Sequence, residues 1–349
     1  MREIFLKERA AHPLCEARDF VKLAYQSEFG GGHMAKDAAE SLERLRSEYT
    51  ACIGARIGPE DAFSPVGGGL VRLNLRPAAA LGLRAETVNG LFAHAANQPR
   101  GSVEGLEEKL ALLRSLAGEL HLDAGELDGA IDDWHKAGFP AVGHSDAYHR
   151  AYRPAYRLVG DAAEAFLPLF QAIDAHVLER GRAVIAIDGD SGAGKSTLGA
   201  LVAAVYGANL YRMDDFFLPP ERKTPERLSE PGGNVDWERF RREIVDRLGS
   251  PLRYRPYSCR TGSCGAEVSV EPTAVEVVEG VYSLHPALRH AYDLKVFLAA
   301  APDFQRRRIL ERSGERMLRR FVREWIPLEK LYFERLNVRG ESDLTFELS

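Results

Sequence analysis

The chain has 349 residues, a formal net charge of −5 and 45% hydrophobic residues. These values exclude a disordered chain and a strongly basic nucleic-acid coat, and the length exceeds one ordinary core, so two domains are expected. No apolar run approaches the ~20 residues of a membrane span, and Met1 to Glu8 is charged and lacks the apolar core of a signal peptide. The expectation is a cytoplasmic protein with no membrane and no nucleic-acid partner; a homo-oligomer is left open.

Residues 1–158 read as a mostly helical domain whose role no motif states. Three glycines, Gly30 to Gly32, precede a helix-like run from Ala35 to about Tyr49. They form either an anion site at a helix N-terminus, with Glu28 and His33 as polar partners, or a connection leading to a capped helix start. Pro65 to Leu75 alternates towards its end and reads as one short strand. Val103–Leu116 and Ala124–Lys136 carry apolar residues at helical intervals. The stretch His144 to Arg157 gathers His, Tyr and Arg around Pro154. It reads as a binding surface or as a polar segment packed between domains, and Tyr148, Tyr152 and Tyr156 have the spacing of one helix face.

Residues 159–349 are more explicit. Asp161–Arg180 carries an apolar helical stripe that stops at Gly181. Val184 to Ile187 is a buried-strand pattern that breaks into Gly189-Asp190-Ser191-Gly192-Ala193-Gly194-Lys195-Ser196-Thr197, then into a helix. Gly189 to Ser196 matches G-x-x-x-x-G-K-S, the P-loop. Gly192 and Gly194 let successive N–H groups turn towards a polyphosphate at the positive end of the helix. Lys195 reaches the β- and γ-phosphates, and the Ser196 hydroxyl is placed for Mg²⁺. ATP and Mg²⁺ are therefore the expected ligands.

Leu210 to Leu218 reads as a strand running into Asp214 and Asp215, which would point to opposite sides. A polar loop, Pro219–Gly233, leads to a helix from Asn234 to about Leu248, and Arg253–Val270 reads as a hairpin or substrate-facing excursion. Ala274–Gly280 and Leu294–Leu298 are further strands, and Asp303–Arg323 is an arginine-dense helical run. Strands alternating with helices predict an α/β fold with a parallel sheet flanked by helices, of P-loop NTPase type. Cys259 and Cys264 have a spacing that could hold half a metal site, but no nearby Cys or His pair completes it, and ordinary reduced thiols are expected.

From about Arg182 onwards the chain resembles the uridine kinase and phosphoribulokinase group of P-loop kinases. Four stations carry the resemblance: the P-loop, Met213-Asp214-Asp215-Phe216-Phe217, Val278-Glu279-Gly280, and Arg307 to Arg316. It implies that Asp214 is the base for the acceptor hydroxyl, that Glu279 helps to hold Mg²⁺, and that Arg308 and Arg316 of a lid helix reach the nucleotide phosphates. Asn234-Val235-Asp236 resembles the Asn-x-Asp that such kinases carry before the next helix. Where uridine kinases carry Tyr-Asp and a nearby His, this chain has Tyr257-Ser258-Cys259-Arg260 and no nearby His. Tyr257 and Arg260 are the candidate acceptor contacts, and uridine or cytidine is placed in doubt.

The expected activity is transfer of the ATP γ-phosphate to a hydroxyl of a small metabolite: a nucleoside, a sugar or a vitamin-like alcohol. Phosphoryl transfer rests on positioning and charge neutralisation, which Lys195, Ser196, Glu279 and the lid arginines would supply. A nucleotide-gated regulatory ATPase and a bifunctional fusion are the alternatives. The lack of an N-K-x-D-like guanine-reading segment argues against a GTPase switch.

Overall fold

The computed structural model describes residues 1–32, 37–52 and 62–349. The chain divides into two compact units, Met1–Leu167 and Pro168–Ser349.

The first unit carries helices α1 (Arg2–Ala11), α2 (Ala17–Phe29) and α3 (Ala38–Cys52), strands β1 (Phe63–Gly67) and β2 (Leu70–Asn74), and helices α4 (Leu75–Ala80), α5 (Ala85–Ala96), α6 (Val103–Ser115), α7 (Ala124–Lys136) and α8 (Asp146–Tyr152). Strand β3 (Tyr156–Gly160) and the short α9 (Ala162–Ala165) follow. It is mostly helical, as expected, but it also holds an antiparallel sheet in the order β1-β2-β3, where the sequence pattern showed one strand. Both unread strands are short, and β1 is irregular. β1 contains Pro65 and a register shift between Pro65 and Gly67, features tolerated at a sheet edge.

β3 corrects the Tyr pattern. Helix α8 ends at Arg153, which adopts φ 44°, one residue before Pro154, where proline disfavours further helix. Tyr148 and Tyr152 therefore share α8, while Tyr156 opens a strand. Side-chain caps fix the helix starts: Ser102 on α6, Asp123 on α7 and Ser145 on α8 each accept an N–H three residues on. Phe5, Phe20, Leu23, Leu106, Leu110, Leu113, Leu127 and Ile131 form the core.

The candidate anion site at Gly30–Gly32 is not what the described residues show. Glu28 accepts from the Ser102 N–H at 2.8 Å and pairs with Lys109 at 2.5 Å. Asp37 caps α3 through the N–H groups of Ala39 and Glu40. His33 lies outside the described residues.

In the His/Tyr/Arg stretch His144, Tyr148 and Arg157 are buried, while His149, Arg150 and Arg153 are exposed. His144 Nδ1 lies 2.8 Å from Asp19 Oδ1, and its Nε2 lies 2.8 Å from the Tyr156 hydroxyl. Its ring stacks on Tyr148 at 4.0 Å. Arg72, 2% exposed, donates from Nη1 to both Glu8 oxygens at 2.8 and 2.9 Å and lies over the Tyr156 ring. Buried charges cost heavily unless paired in this way. Burial alone would raise the Glu8 carboxyl, but hydrogen bonds from His12 and Arg72 outweigh it and hold the group at about 2. Asp19 is likewise held at about 2 against burial by His144, Glu16 and Ser145. Burial pushes His144 down to about 4 against the pull of Asp19.

The second unit starts with α10 (Leu167–Arg180, its first residue at the boundary), β4 (Ala183–Gly189), α11 (Lys195–Tyr206) and β5 (Asn209–Arg212). It continues with α12 (Pro225–Ser229), α13 (Trp237–Glu243), β6 (Leu252–Tyr254), β7 (Tyr257–Ser258), β8 (Ser263–Cys264) and β9 (Val268–Val270). β10 (Val275–Glu279), β11 (Leu294–Ala300), α14 (Pro302–Arg320), α15 (Ile326–Arg335) and β12 (Leu344–Leu348) complete it. Five strands form a parallel sheet in the order β12-β11-β4-β10-β5. Every residue of β4 and β10 is buried, as a sheet covered on both faces requires. This is the α/β architecture of P-loop type that the strand–helix alternation predicts.

The excursion is a nested pair of hairpins, β6 with β9 and β7 with β8. Asp214 and Asp215 do not extend β5. They lie on a 3₁₀ turn, Met213–Phe216, so the expectation that they alternate across a strand does not hold. The arginine-dense run is broken at Gly314 (φ 74°, ψ 171°) and passes into α15 through a π-helical segment, Phe321–Trp325.

One prediction concerns the buried network of the first unit. All three groups have folded-state values below their ordinary ones, so their stabilisation is complete near neutrality and lost as pH falls. His144 contributes first, between its ordinary 6.5 and about 4, about 3 kcal/mol in all. Glu8 and Asp19 follow between the usual carboxylate range and about 2. Hydrogen exchange on the full chain should show α2 and β3 losing protection between pH 6.5 and 4. In His144→Gln this pH dependence should flatten; an unchanged profile would contradict the assignment.

Candidate active site

The P-loop leaves the C-terminal end of the central strand β4. Gly189, at φ 138°, lies so close to β11 that a Cβ there would sit 2.1 Å from the Leu298 carbonyl oxygen. The Asp190 N–H donates to that same carbonyl at 2.9 Å, and Asp190 Oδ2 accepts from the Ala300 N–H at 2.9 Å. Gly192 and Gly194, at φ 81° and 92°, curl the chain in a conformation that costs other residues strain.

The loop's donors divide into two sets. The Ser191 N–H is taken by Glu329 at 3.2 Å, and the Ala193 N–H by the Asp190 carbonyl at 3.1 Å. Among the described residues, none accepts from the N–H groups of Gly192, Gly194, Lys195, Ser196 and Thr197. A run of unsatisfied N–H groups at a helix N-terminus is an anion cradle. Lys195, 8% exposed, donates from Nζ to the carbonyls of Gly189 and Asp190 at 2.8 and 2.9 Å. These residues fit a nucleotide polyphosphate.

Glycines also bring the carboxylates together. A Cβ on Gly199 would lie 3.3 Å from Glu279 Cγ, so α11 approaches β10 closely enough for Ser196 Oγ to donate to Glu279 Oε2 at 3.1 Å. Gly280, at φ 130°, lets the end of β10 meet the 3₁₀ turn, where a Cβ would be 2.9 Å from Met213 Cβ. Burial raises the Glu279 carboxyl, and the nearby Asp214 carboxylate raises it further, against Lys195, Ser196 and Arg212. A hydroxyl and two mutually repelling carboxylates form a hard-oxygen set that suits Mg²⁺. Among the described residues, no group of three or more His, Cys, Asp or Glu side chains could hold a metal ion. Mg²⁺ would accordingly lean on the phosphates as well as on Ser196 and Glu279.

The two acids of the turn differ. Asp214 is exposed, whereas Asp215 is half-buried; burial raises the Asp215 carboxyl, against Arg212. The Asp214 charge raises the Glu279 carboxyl and the Tyr282 hydroxyl, whereas the Asp215 charge raises the Tyr254 hydroxyl.

β7 packs against the same turn, which brings the buried Tyr257 beside it, while Arg260 lies on the exposed hairpin tip. Cys259 and Cys264 are free and exposed. Arg308 is carried by the part of α14 that meets the loop: a Cβ on Gly192 would be 3.6 Å from Arg308 Cβ. Arg316 is exposed and lies beyond the Gly314 break.

Sequence reasoning passed over three residues. Asp188, fully buried, accepts from the Gly189 N–H at 2.7 Å, the Leu284 N–H at 2.9 Å and the Tyr332 hydroxyl at 2.8 Å. An acid closing an otherwise apolar strand was a signal for it. Glu329 and Tyr332 had none, because their partners are 138 and 144 residues away in sequence.

No protein-family model matches the chain. It is 28% identical over 124 residues to uridine-cytidine kinase C of Dictyostelium discoideum, a stretch covering 35% of this chain and 28% of that protein. Part of this chain is thus similar to a uridine-cytidine kinase. The chain spans little more than a quarter of that relative's length. Among solved structures, a possible uridine kinase from Bacillus stearothermophilus aligns at 20% identity and a TM-score of 0.38, over 51% of this chain and 99% of its own. An uncharacterized protein from Eubacterium ventriosum aligns at 14% identity and a TM-score of 0.28, over 48% and 88%. Among the described residues, no helix is long and apolar enough to cross a membrane.

The glycine geometry yields a stability prediction. Alanine at Gly189 would collide with the backbone of β11, whereas at Gly194 nothing lies within 4 Å and only the positive φ opposes it. Gly189→Ala should cost about 4 kcal/mol or more, and Gly194→Ala about 1–2 kcal/mol. Thermal denaturation of both variants compares them; equal losses would show that the loop shifts to accept either side chain.

Proposed function

We propose that this chain is an ATP-dependent phosphotransferase that moves the γ-phosphate to a hydroxyl of a small metabolite. The observation that carries it is the convergence at one end of the parallel sheet of the Gly192–Thr197 cradle with Lys195, the Ser196–Glu279 pair and the exposed Asp214. The similarity to a uridine-cytidine kinase supports the same reading.

The P-loop N–H groups and Lys195 bind and orient the triphosphate, and Arg308 adds positive charge where α14 meets the loop. Ser196 and Glu279 would hold Mg²⁺, which when bound neutralises charge on the β- and γ-phosphates. Asp214, whose carboxylate carries no hydrogen bond or ion pair within the described residues, orients the acceptor hydroxyl and takes its proton. Tyr257 and Arg260 line the acceptor side. The hairpin departs from uridine kinases at Ser258, whose hydroxyl accepts from the Thr261 N–H at 3.4 Å, so the acceptor class extends to sugars and vitamin-like alcohols.

A screen of nucleosides, sugars and vitamin-like alcohols for acceptor-dependent ADP release on the full chain tests this. Lys195→Ala should abolish the release and lower the Tm, the chain remaining folded at assay temperature; wild-type turnover by this variant would remove the P-loop assignment. With the acceptor found, Asp214→Asn should lower kcat by about 10²–10⁴ with nucleotide affinity little changed, and Asp215→Asn should have the smaller effect. A large loss confined to Asp215→Asn would move the base one residue along.

A further inference from the structure

The C-terminal helix α15 grips the phosphate loop from an element that the four kinase-like stations do not include. Glu329, 4% exposed, and Tyr332, 0% exposed, are three residues apart and share one face of the helix. Tyr332 donates its hydroxyl to Asp188 Oδ2 at 2.8 Å, at the strand end where the loop begins. Glu329 takes both polar groups of Ser191: Oε2 accepts the backbone N–H at 3.2 Å, and Oε1 accepts the side-chain hydroxyl. Ser191 is the last residue before the loop curls at Gly192, and the next free donors are those of the cradle. A carboxylate offers each of the two Ser191 donors an acceptor oxygen of its own.

We propose that Glu329 is a positioning residue for nucleotide binding, acting through Ser191 to fix the point from which the phosphate cradle turns. The inference rests on the nucleotide-site reading above and adds an element to it. Its charge sits on the same side as the phosphates, so charge and geometry make opposite predictions. A carboxylate acting only by its field repels a polyphosphate, and removing it would tighten binding. A carboxylate holding Ser191 sets the aim of five N–H groups, and removing it weakens binding.

Glu329→Gln keeps the shape and one acceptor oxygen, but replaces the other with an amide donor, so the Ser191 hydroxyl must turn round and accept, and the charge-assisted bonds are lost. Ser191→Ala removes the hydroxyl from the other partner without touching α15. Dissociation constants for Mg²⁺–AMP-PNP, measured by calorimetry on the full chain together with Tm, decide the matter. The expected result is affinity about 10-fold weaker in Glu329→Gln and less weakened in Ser191→Ala. The double variant should be no worse than Glu329→Gln alone, because both act on one contact. Unchanged affinity with a lowered Tm would overturn the proposal and leave Glu329 as a prop for the fold. Tighter binding would overturn it in favour of the charge alone. A wild-type chain that does not bind Mg²⁺–AMP-PNP would instead overturn the nucleotide-site reading and the proposal with it.

Discussion

Three buried carboxylates and the half-buried Asp190 gather at the P-loop, and Glu279 also pairs with Arg212 at 3.5 Å. Burial raises the carboxyls of Asp188, Asp190, Glu279 and Glu329, and in each case the Lys195 charge pulls the other way. Such an assembly stands only if the acids find further donors. Asp188 uses two backbone N–H groups and Tyr332, Asp190 the Ala300 N–H, Glu329 both groups of Ser191, and Glu279 the Ser196 hydroxyl. The donors that satisfy these acids come from β11, α11, α15 and the loop after β10. The requirement to compensate one cluster of charge therefore fixes the elements around the P-loop. In the proposed function the cluster would disfavour a bare polyphosphate, and a divalent cation would offset the repulsion.

What was legible in the sequence was local. The P-loop could be read because its glycines, lysine and serine are consecutive, and each acts through backbone geometry that the residue itself dictates. The central strands could be read because β4 and β10 are buried on both faces, which leaves the apolar run Ala183–Ile187 in β4 and a valine-rich run, interrupted by Glu276, in β10. Contacts formed by distant segments could not. Nothing around Ile326-Pro327-Leu328-Glu329 announces a partner in the P-loop, since only the fold brings α15 to Ser191. The 3₁₀ turn was hidden differently: Leu210-Tyr211-Arg212-Met213 has the composition of a strand, and the chain turns where two adjacent acids would each have to be accommodated. In the first unit, β1 and β3 were missed because proline, glycine and short length blur the alternation on which a strand is recognised.

The two units handle buried charge in opposite ways. In the first unit, Arg72 and His144 meet Glu8 and Asp19 directly, and the carboxyls are held low. Those charges are balanced by partners in the fold, which is how a structural network is built. In the second unit the acids are held high and the loop's N–H groups have no acceptor among the described residues. An imbalance of that kind costs stability, and enzymes carry such imbalances where ligands complete them. The contrast supports the proposal that the chemistry lies in the second unit.

The same distinction sorts further acids of the second unit. Asp236, from the Asn-x-Asp stretch, caps α13 through the Arg239 N–H at 3.1 Å and pairs with Arg222 at 2.5 Å. Glu276 accepts from the Tyr211 hydroxyl at 3.2 Å and the Gly249 N–H at 2.9 Å. Both have their lone pairs committed. Arg239 also donates to the Asp215 carbonyl at 3.0 Å and the Arg255 carbonyl at 2.8 Å, and lies over the Phe216 ring at 4.1 Å. It thereby fastens the 3₁₀ turn to the hairpin. The turn is held by its backbone, so the Asp214 side chain needs no partner to stay in place. The base proposed above must present an unoccupied lone pair from a rigid support, and Asp214 combines an uncommitted carboxylate, exposure and a fixed backbone.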